Sequence, residues 1–177
     1  DEIIRLMAQL ERFINEPDNE IDPLIRMAVI HHRFESIHPF YDGNGRTGRI
    51  INVLYLVHAG LLDIPVLYLS RYLVRHKNEY YRLLQAVRET GEWQPWVLYM
   101  LEAVAETAQQ SITVVSAIRA AMQDYKHRIR DKFSFYSQDL INHLFCHPYT
   151  KIEFVADALS VSRQTAAKYL DELVTEN

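Results

Sequence analysis

The chain is short of the residues that staple or interrupt a fold. Its one cysteine, Cys146, excludes an internal disulfide framework and fits a reducing compartment. By residue type it reads as a small buried apolar side chain. Five glycines and six prolines in 177 residues leave few enforced breaks between helices. No apolar run is long and uninterrupted enough to span a bilayer. No basic-plus-apolar leader opens the chain, and no repeat or low-complexity tract is visible. A cytoplasmic protein without a membrane partner is therefore expected. An excess of positive charge is also lacking: the net charge is −4, which does not advertise nucleic-acid binding. What is present, 49% hydrophobic and 24% charged residues, is the balance of a globular chain large enough for one or two domains and a real core.

The apolar pattern is helical almost throughout. Ile3, Ile4, Met7, Leu10, Phe13 and Ile14 recur at helical spacing from the first residues on, so the chain looks like a fragment that lacks an N-terminal portion. A polar turn, Glu16-Pro17-Asp18-Asn19-Glu20, comes next. Asp22-Pro23 is an N-cap with proline at the first helical position. The helix it opens carries Leu24, Ile25, Ala28 and Phe34 inward and ends near Ile37, because Pro39 disfavours a helical residue before it. His31, Glu35 and His38 share one face of this stretch. A zinc site is conceivable there, but the ligand set is thin, and a histidine hydrogen-bonded beside a site is the better reading.

The stretch that concentrates chemistry is Ile37-His38-Pro39-Phe40-Tyr41-Asp42-Gly43-Asn44-Gly45-Arg46-Thr47-Gly48-Arg49. Gly43 and Gly45 permit a tight turn whose N–H groups point one way. A second helix starts near Asn44 to Arg46, and its N-terminus is a ready anion cradle. Arg46 and Arg49, three apart, place two guanidinium forks beside that cradle, which suits a polyphosphate. Asp42 supplies one hard oxygen, and one carboxylate plus phosphate oxygens is how Mg²⁺ is usually held. His38 sits at a helix end, where an imidazole titrating near neutrality can take the proton of an attacking hydroxyl. The spacing Gly43-x-Gly45-x-x-Gly48 formally matches a dinucleotide fingerprint, but that motif needs a preceding strand, and a helix precedes it here.

His38-Pro39-Phe40-x-Asp42-Gly43-Asn44-Gly45-Arg46-x-x-Arg49 matches every fixed position of the HPFxDGNGRxxR signature, and from about Ile3 to Val104 the chain resembles the Fic-domain family. The resemblance implies an all-α fold, a Fic-type helical bundle. It also implies a nucleotidyltransferase that moves AMP from Mg²⁺-bound ATP to a Ser, Thr or Tyr hydroxyl of a target protein, this chain itself included. By that resemblance His38 is the general base and Asp42 the Mg²⁺ ligand. Gly43, Asn44, Gly45, Arg46 and Arg49, with Thr47 and Gly48 between them, hold the ATP phosphates, and Phe40 anchors the loop in the core. Relatives that use another phosphate-containing donor, or that remove AMP, leave the donor more open than the loop chemistry. The family's target-positioning flap normally precedes the first helix seen here, and its inhibitory S/T-x-x-x-E-[G/N] motif is not found between Asp1 and Asn177.

Beyond the signature, Ala59-Gly60 marks a helix end, and Ser70 is placed to cap a helix from Arg71 to about Val87. Tyr80, Tyr81 and Leu84 on it have core-like spacing; the resemblance adds that they wall an adenine pocket. Trp93 opens a helical run to about Lys132, long enough to bridge to a second unit or, in a homodimer, a second subunit. The core is thus assigned to residues 1–132. Residues 133–177 read differently: Ser137 starts a short helix, Thr150-x-x-Glu153 is a capping box, and Ser162 caps a last helix bearing Arg163, Gln164, Thr165 and Lys168. This is a helix–turn–helix pattern and resembles the start of a winged-helix module, without the wing. DNA, a protein surface and simple packing all remain open to it, and the acidic net charge favours the last two. A winged-helix regulator whose Fic unit only senses nucleotide is the alternative to an enzyme.

Overall fold

The structure, a computed structural model, describes residues 2–16 and 20–175. The part of the expected polar turn from Pro17 to Asn19 lies outside them. The described residues form nine helices and no strand: α1 (Glu2–Asn15), α2 (Pro23–Ile37), α3 (Asn44–His58), α4 (Ser70–Arg75), α5 (Lys77–Thr90), α6 (Trp93–Lys132), α7 (Gln138–Leu144), α8 (Ile152–Leu159) and α9 (Arg163–Thr175). The protein is therefore all-helical, as the sequence implies. It divides into two compact units, residues 1–112 and 113–177, with the division inside α6.

In the first unit α2 is the central element, packed against α1 and α3. Its start is fixed locally: the Asp22 carboxylate accepts the Leu24 N–H at 2.8 Å, and Pro23 is pre-set for the first turn. Its inward face buries Met27, Ala28, Ile30 and Phe34. The buried Arg26 guanidinium donates to the carbonyls of Phe13 and Glu16, tying the end of α1 to α2. Trp96 of α6 is fully buried in this core, and its indole N–H donates to the Ala28 carbonyl at 2.9 Å.

The helix expected from Arg71 to Val87 is broken at His76, whose backbone leaves the helical region (φ −106, ψ 34). The His76 ring Nδ1 lies 3.1 Å from the Tyr72 carbonyl, and Tyr99 donates its hydroxyl proton to the His76 carbonyl at 3.4 Å. The His76 N–H still donates to the Tyr72 carbonyl and the His76 carbonyl still accepts the Tyr80 N–H, each at 3.0 Å, so these side-chain contacts add to the backbone pairing at the break. Ser70 is not the cap: α4 is preceded by Leu69, with no side-chain cap bond.

The second unit has its own core of Ile129, Leu140, Ile141, Val155 and Ala166, with Phe135 stacked on Tyr169 at 4.2 Å between ring centres. Ser137 and Ser162 cap α7 and α9 as expected, accepting the N–H groups of Leu140 and Thr165, each at 3.1 Å. The capping box at Thr150 does not form. Lys151 occupies the cap position of α8, and the Thr150 hydroxyl is buried without a hydrogen-bond partner. Cys146 corrects another expectation. It is exposed in the turn beyond the end of α7 at Leu144 rather than buried. No helix among the described residues is long and apolar enough to cross a membrane.

Trp96→Phe tests the first core. It removes the indole bond to Ala28 and part of the packed volume, and should lower stability by about 1–3 kcal/mol. A lower urea midpoint at unchanged slope is the expected result; an unchanged midpoint would contradict this placement.

Candidate active site

The site begins where α2 ends. His38 adopts a left-handed conformation (φ 52, ψ 58), and its N–H donates to the Phe34 carbonyl at 3.0 Å. For a residue with a Cβ this conformation is strained by about 1–2 kcal/mol. Pro39 keeps the chain from turning back into the helix. The loop then closes on itself. The Phe40 N–H donates to Asn44 Oδ1 at 2.9 Å, and Asn44 Nδ2 donates to the Phe40 carbonyl at 2.6 Å. Asn44 is buried, so both ends of its carboxamide are committed to the loop. What it can offer a ligand is its backbone.

Gly43 then takes φ 84, which a side chain would oppose, and turns the chain into α3. The Gly43 carbonyl accepts both the N–H of Thr47 at 2.9 Å and its hydroxyl at 3.1 Å. No side chain caps the start of α3, so its first N–H groups remain available to an anion. Arg46 reaches back to Asp42 at 3.2 Å, an exposed pair that holds little energy and is readily exchanged. Further along, α3 passes very close to α2. A Cβ on Gly48 would lie 2.6 Å from Glu35 Oε1 and 3.1 Å from His31 Cε1.

These elements enclose a cavity of about 450 Å³. It is lined by His38, Asp42, Gly43, Asn44, Gly45, Arg46 and Arg49, and by Tyr80, Tyr81 and Leu84 of α5. Thr47 and Gly48 do not line it. Thr47 is turned onto the Gly43 carbonyl, and Gly48 is buried against α2. Phe40 also departs from expectation: it is 50% exposed rather than a core anchor, although its ring sits 6.3 Å from that of the buried Phe34. Glu35, Tyr41 and Arg88 line the cavity as well. Glu35 is legible in the sequence one turn before His38 on the same helix, and Tyr41 lies inside the signature. Arg88 comes from α5, one turn beyond Leu84, and no local signal ties it to His38.

The wall opposite the loop is held by buried histidines. His31 Nε2 is 3.0 Å from the Tyr80 hydroxyl, and the His32 ring donates to the Leu84 carbonyl at 3.2 Å. Tyr80 is itself buried, so it offers the cavity less than the half-exposed Tyr81. Burial pushes the His31 imidazole down to about 4, so it is neutral at pH 7 and serves as a hydrogen-bonding strut. Burial holds the Glu35 carboxyl above the ordinary carboxylate range, opposed by the positive charges of His38, Arg49 and Arg88. Among the described residues no group of three or more His, Cys, Asp and Glu side chains could hold a metal, which leaves no support for zinc at His31, Glu35 and His38.

The Fic/DOC family model matches residues 1–56, and the model of the C-terminal domain of the SoFic-like protein adenylyltransferase matches residues 121–177. Over 103 residues, 58% of this chain, the sequence is 32% identical to the protein adenylyltransferase Fic of Drosophila yakuba, and 31% identical to that of Drosophila grimshawi. The matched part is 19% and 20% of those proteins, so the chain spans about a fifth of their length. The crystal structure of a Fic family protein from Desulfovibrio desulfuricans G20 aligns with 99% of this chain and 49% of its own, at a TM-score of 0.57 and 24% identity, a likeness of fold.

The depressed His31 pKa makes a stability prediction. Between pH 6.5 and 4 the unfolded chain binds this proton more readily than the folded one. Stability should therefore fall as pH drops through that window, with His31 contributing up to about 3 kcal/mol. The raised Glu35 carboxyl acts in the opposite sense, its contribution fading as pH rises. His31→Gln isolates the imidazole: urea denaturation at pH 7 and pH 4.5 should show a smaller acid loss than wild type. An equal loss would show that His31 is not the buried neutral group described.

Proposed function

We propose that the chain, whose residues 1–56 match the Fic/DOC family model and residues 121–177 the SoFic-like C-terminal domain model, is a protein adenylyltransferase of that family that moves AMP from ATP to a hydroxyl of a target protein. The observation that carries the proposal is the single cavity shared by His38, Asp42, the uncapped start of α3 and the paired arginines. A base, an anion cradle and two guanidinium forks around one space are the parts that nucleotidyl transfer to an alcohol requires.

In this reading His38 accepts the proton of the incoming Ser, Thr or Tyr hydroxyl. The oxygen attacks the α-phosphorus, the bond between that phosphorus and the α–β bridging oxygen breaks, and pyrophosphate leaves. The N–H groups at the start of α3, with Gly43 and Gly45 allowing close approach, hold the phosphates, and Arg46 and Arg49 offset the charge on the departing pair. Tyr80, Tyr81 and Leu84 face the nucleoside end. Thr47 and Gly48 act by building the turn and the α2–α3 crossing.

Asp42 fits Mg²⁺ as its one protein carboxylate: its side chain is 93% exposed, and without neighbouring ligands it suits an ion that arrives already bound to ATP. Such an ion would neutralise phosphate charge. The exposed Asp42–Arg46 pair separates at little cost, which frees Arg46 for the phosphates.

We take residues 1–132 as the catalytic part. For the helix–turn–helix beyond it, a docking role with protein is favoured over duplex binding. The α9 surface that carries Gln164 and Lys168 also carries Asp171 and Glu172, and Lys168 already pairs with Glu172 at 3.7 Å.

Incubation with labelled ATP tests the proposal. Label at the α-phosphate should appear on a protein, this chain or a target, and label at the γ-phosphate should not. His38→Ala should reduce transfer roughly a hundredfold or more. Equal transfer by His38→Ala, or labelling from the γ-position, would remove the mechanism.

A further inference from the structure

We propose that Arg88 is a positioning residue for the general base: it clamps the last turn of α2 and so fixes the point at which His38 leaves the helix. The inference rests on the reading of His38 as that base. The four last carbonyls of a helix lack partners within it. At the end of α2 the Phe34 carbonyl is taken by the His38 N–H. The next, that of Glu35, accepts from Arg88 Nη2 at 3.0 Å, and Arg88 Nε donates to the Ser36 hydroxyl at 3.2 Å. One planar fork thus grips two successive residues of the final turn, and a cation at a helix C-terminus is electrostatically favoured as well.

The clamp matters because the next turn of backbone is strained. His38 is one of two non-glycine residues at positive φ among the described residues. A strained backbone of this kind persists only where its surroundings over-determine it. On the far side of His38 the Asn44–Phe40 pair does this. On the near side Arg88 supplies the contact from outside the helix. Its own helix, α5, is registered on α2 by the His31–Tyr80 and His32–Leu84 hydrogen bonds, so the fork arrives from a fixed frame. Arg88 also lines the cavity, which makes direct contact with the donor nucleotide the competing role.

The two roles separate experimentally. Arg88→Ala, Arg88→Lys and Ser36→Ala are compared with wild type by the imidazole nitrogen signals of His38, assigned by their loss in His38→Ala, and by steady-state transfer from ATP. Positioning predicts that Arg88→Ala broadens or splits the His38 signals with no nucleotide present. It also predicts that kcat falls roughly tenfold to a hundredfold, while KM for ATP stays within about twofold. Arg88→Lys, which can reach one acceptor, and Ser36→Ala, which removes the other, should fall between. Unchanged His38 signals in Arg88→Ala, or a loss carried by KM for ATP, would overturn the proposal, the latter making Arg88 a donor contact. Because the imidazole signals are read without turnover, they decide the positioning claim even if the wild-type protein transfers nothing. Were Arg88→Ala to unfold, the other two variants give the same readout.

Discussion

Two hydrogen bonds between the Asn44 side chain and the Phe40 backbone close the loop on which the proposed chemistry depends. They hold the chain between a helix that has just ended in a left-handed residue and a helix about to begin after a left-handed glycine. Without that closure, His38 and the start of α3 would be separate features of two helices. With it, an imidazole and a set of free N–H groups are held around one cavity. Such a clamp acts through position alone: the carboxamide is buried and spends both its ends on the loop.

The charges around the cavity depend on the same closure. Arg46 and Arg49 stand on the first turns of α3, where the helix dipole already favours anions. Glu35 and Asp42 are the acidic counterweights, one buried below the loop and one exposed at its edge. Glu35 is crowded by Gly48, and its Oε1 is buried with no hydrogen-bond partner. A carboxyl so placed is held above its ordinary range by burial, and its negative charge would oppose phosphate if fully expressed. The neutral His31 next to it lets α2, α3 and α5 meet without adding a buried positive charge.

The sequence was most legible where the physics is local. Asp22, Ser137 and Ser162 cap helices within three residues of themselves, and each does so in the structure. The signature loop was readable because glycine, proline, histidine and arginine have distinct backbone and charge properties at fixed spacing. The failures lie where a distant group intervenes. His76 breaks a helix that the apolar spacing continues, at a point where its ring lies on the Tyr72 carbonyl and its own carbonyl takes a hydroxyl from Tyr99, a side chain on another helix. Thr150 has a capping-box sequence, and α8 does open at Ile152, yet Lys151 takes the cap position and the Thr150 hydroxyl caps nothing. The resemblance makes Phe40 a core anchor, but the loop is held by Asn44 and leaves the ring half exposed. Arg88 could not be tied to His38 from sequence, since the contact spans more than fifty positions and depends on how α5 lies on α2.

Calorimetric titration of Mg²⁺-bound ATP into Asn44→Ala and wild-type protein measures the central claim most directly. The carboxamide is spent on Phe40, so its loss can weaken binding only by releasing the loop. The account predicts an affinity lower by roughly tenfold or more in Asn44→Ala, with the helical fold retained. Equal affinity in the two proteins would show that the closed loop is not what assembles the site.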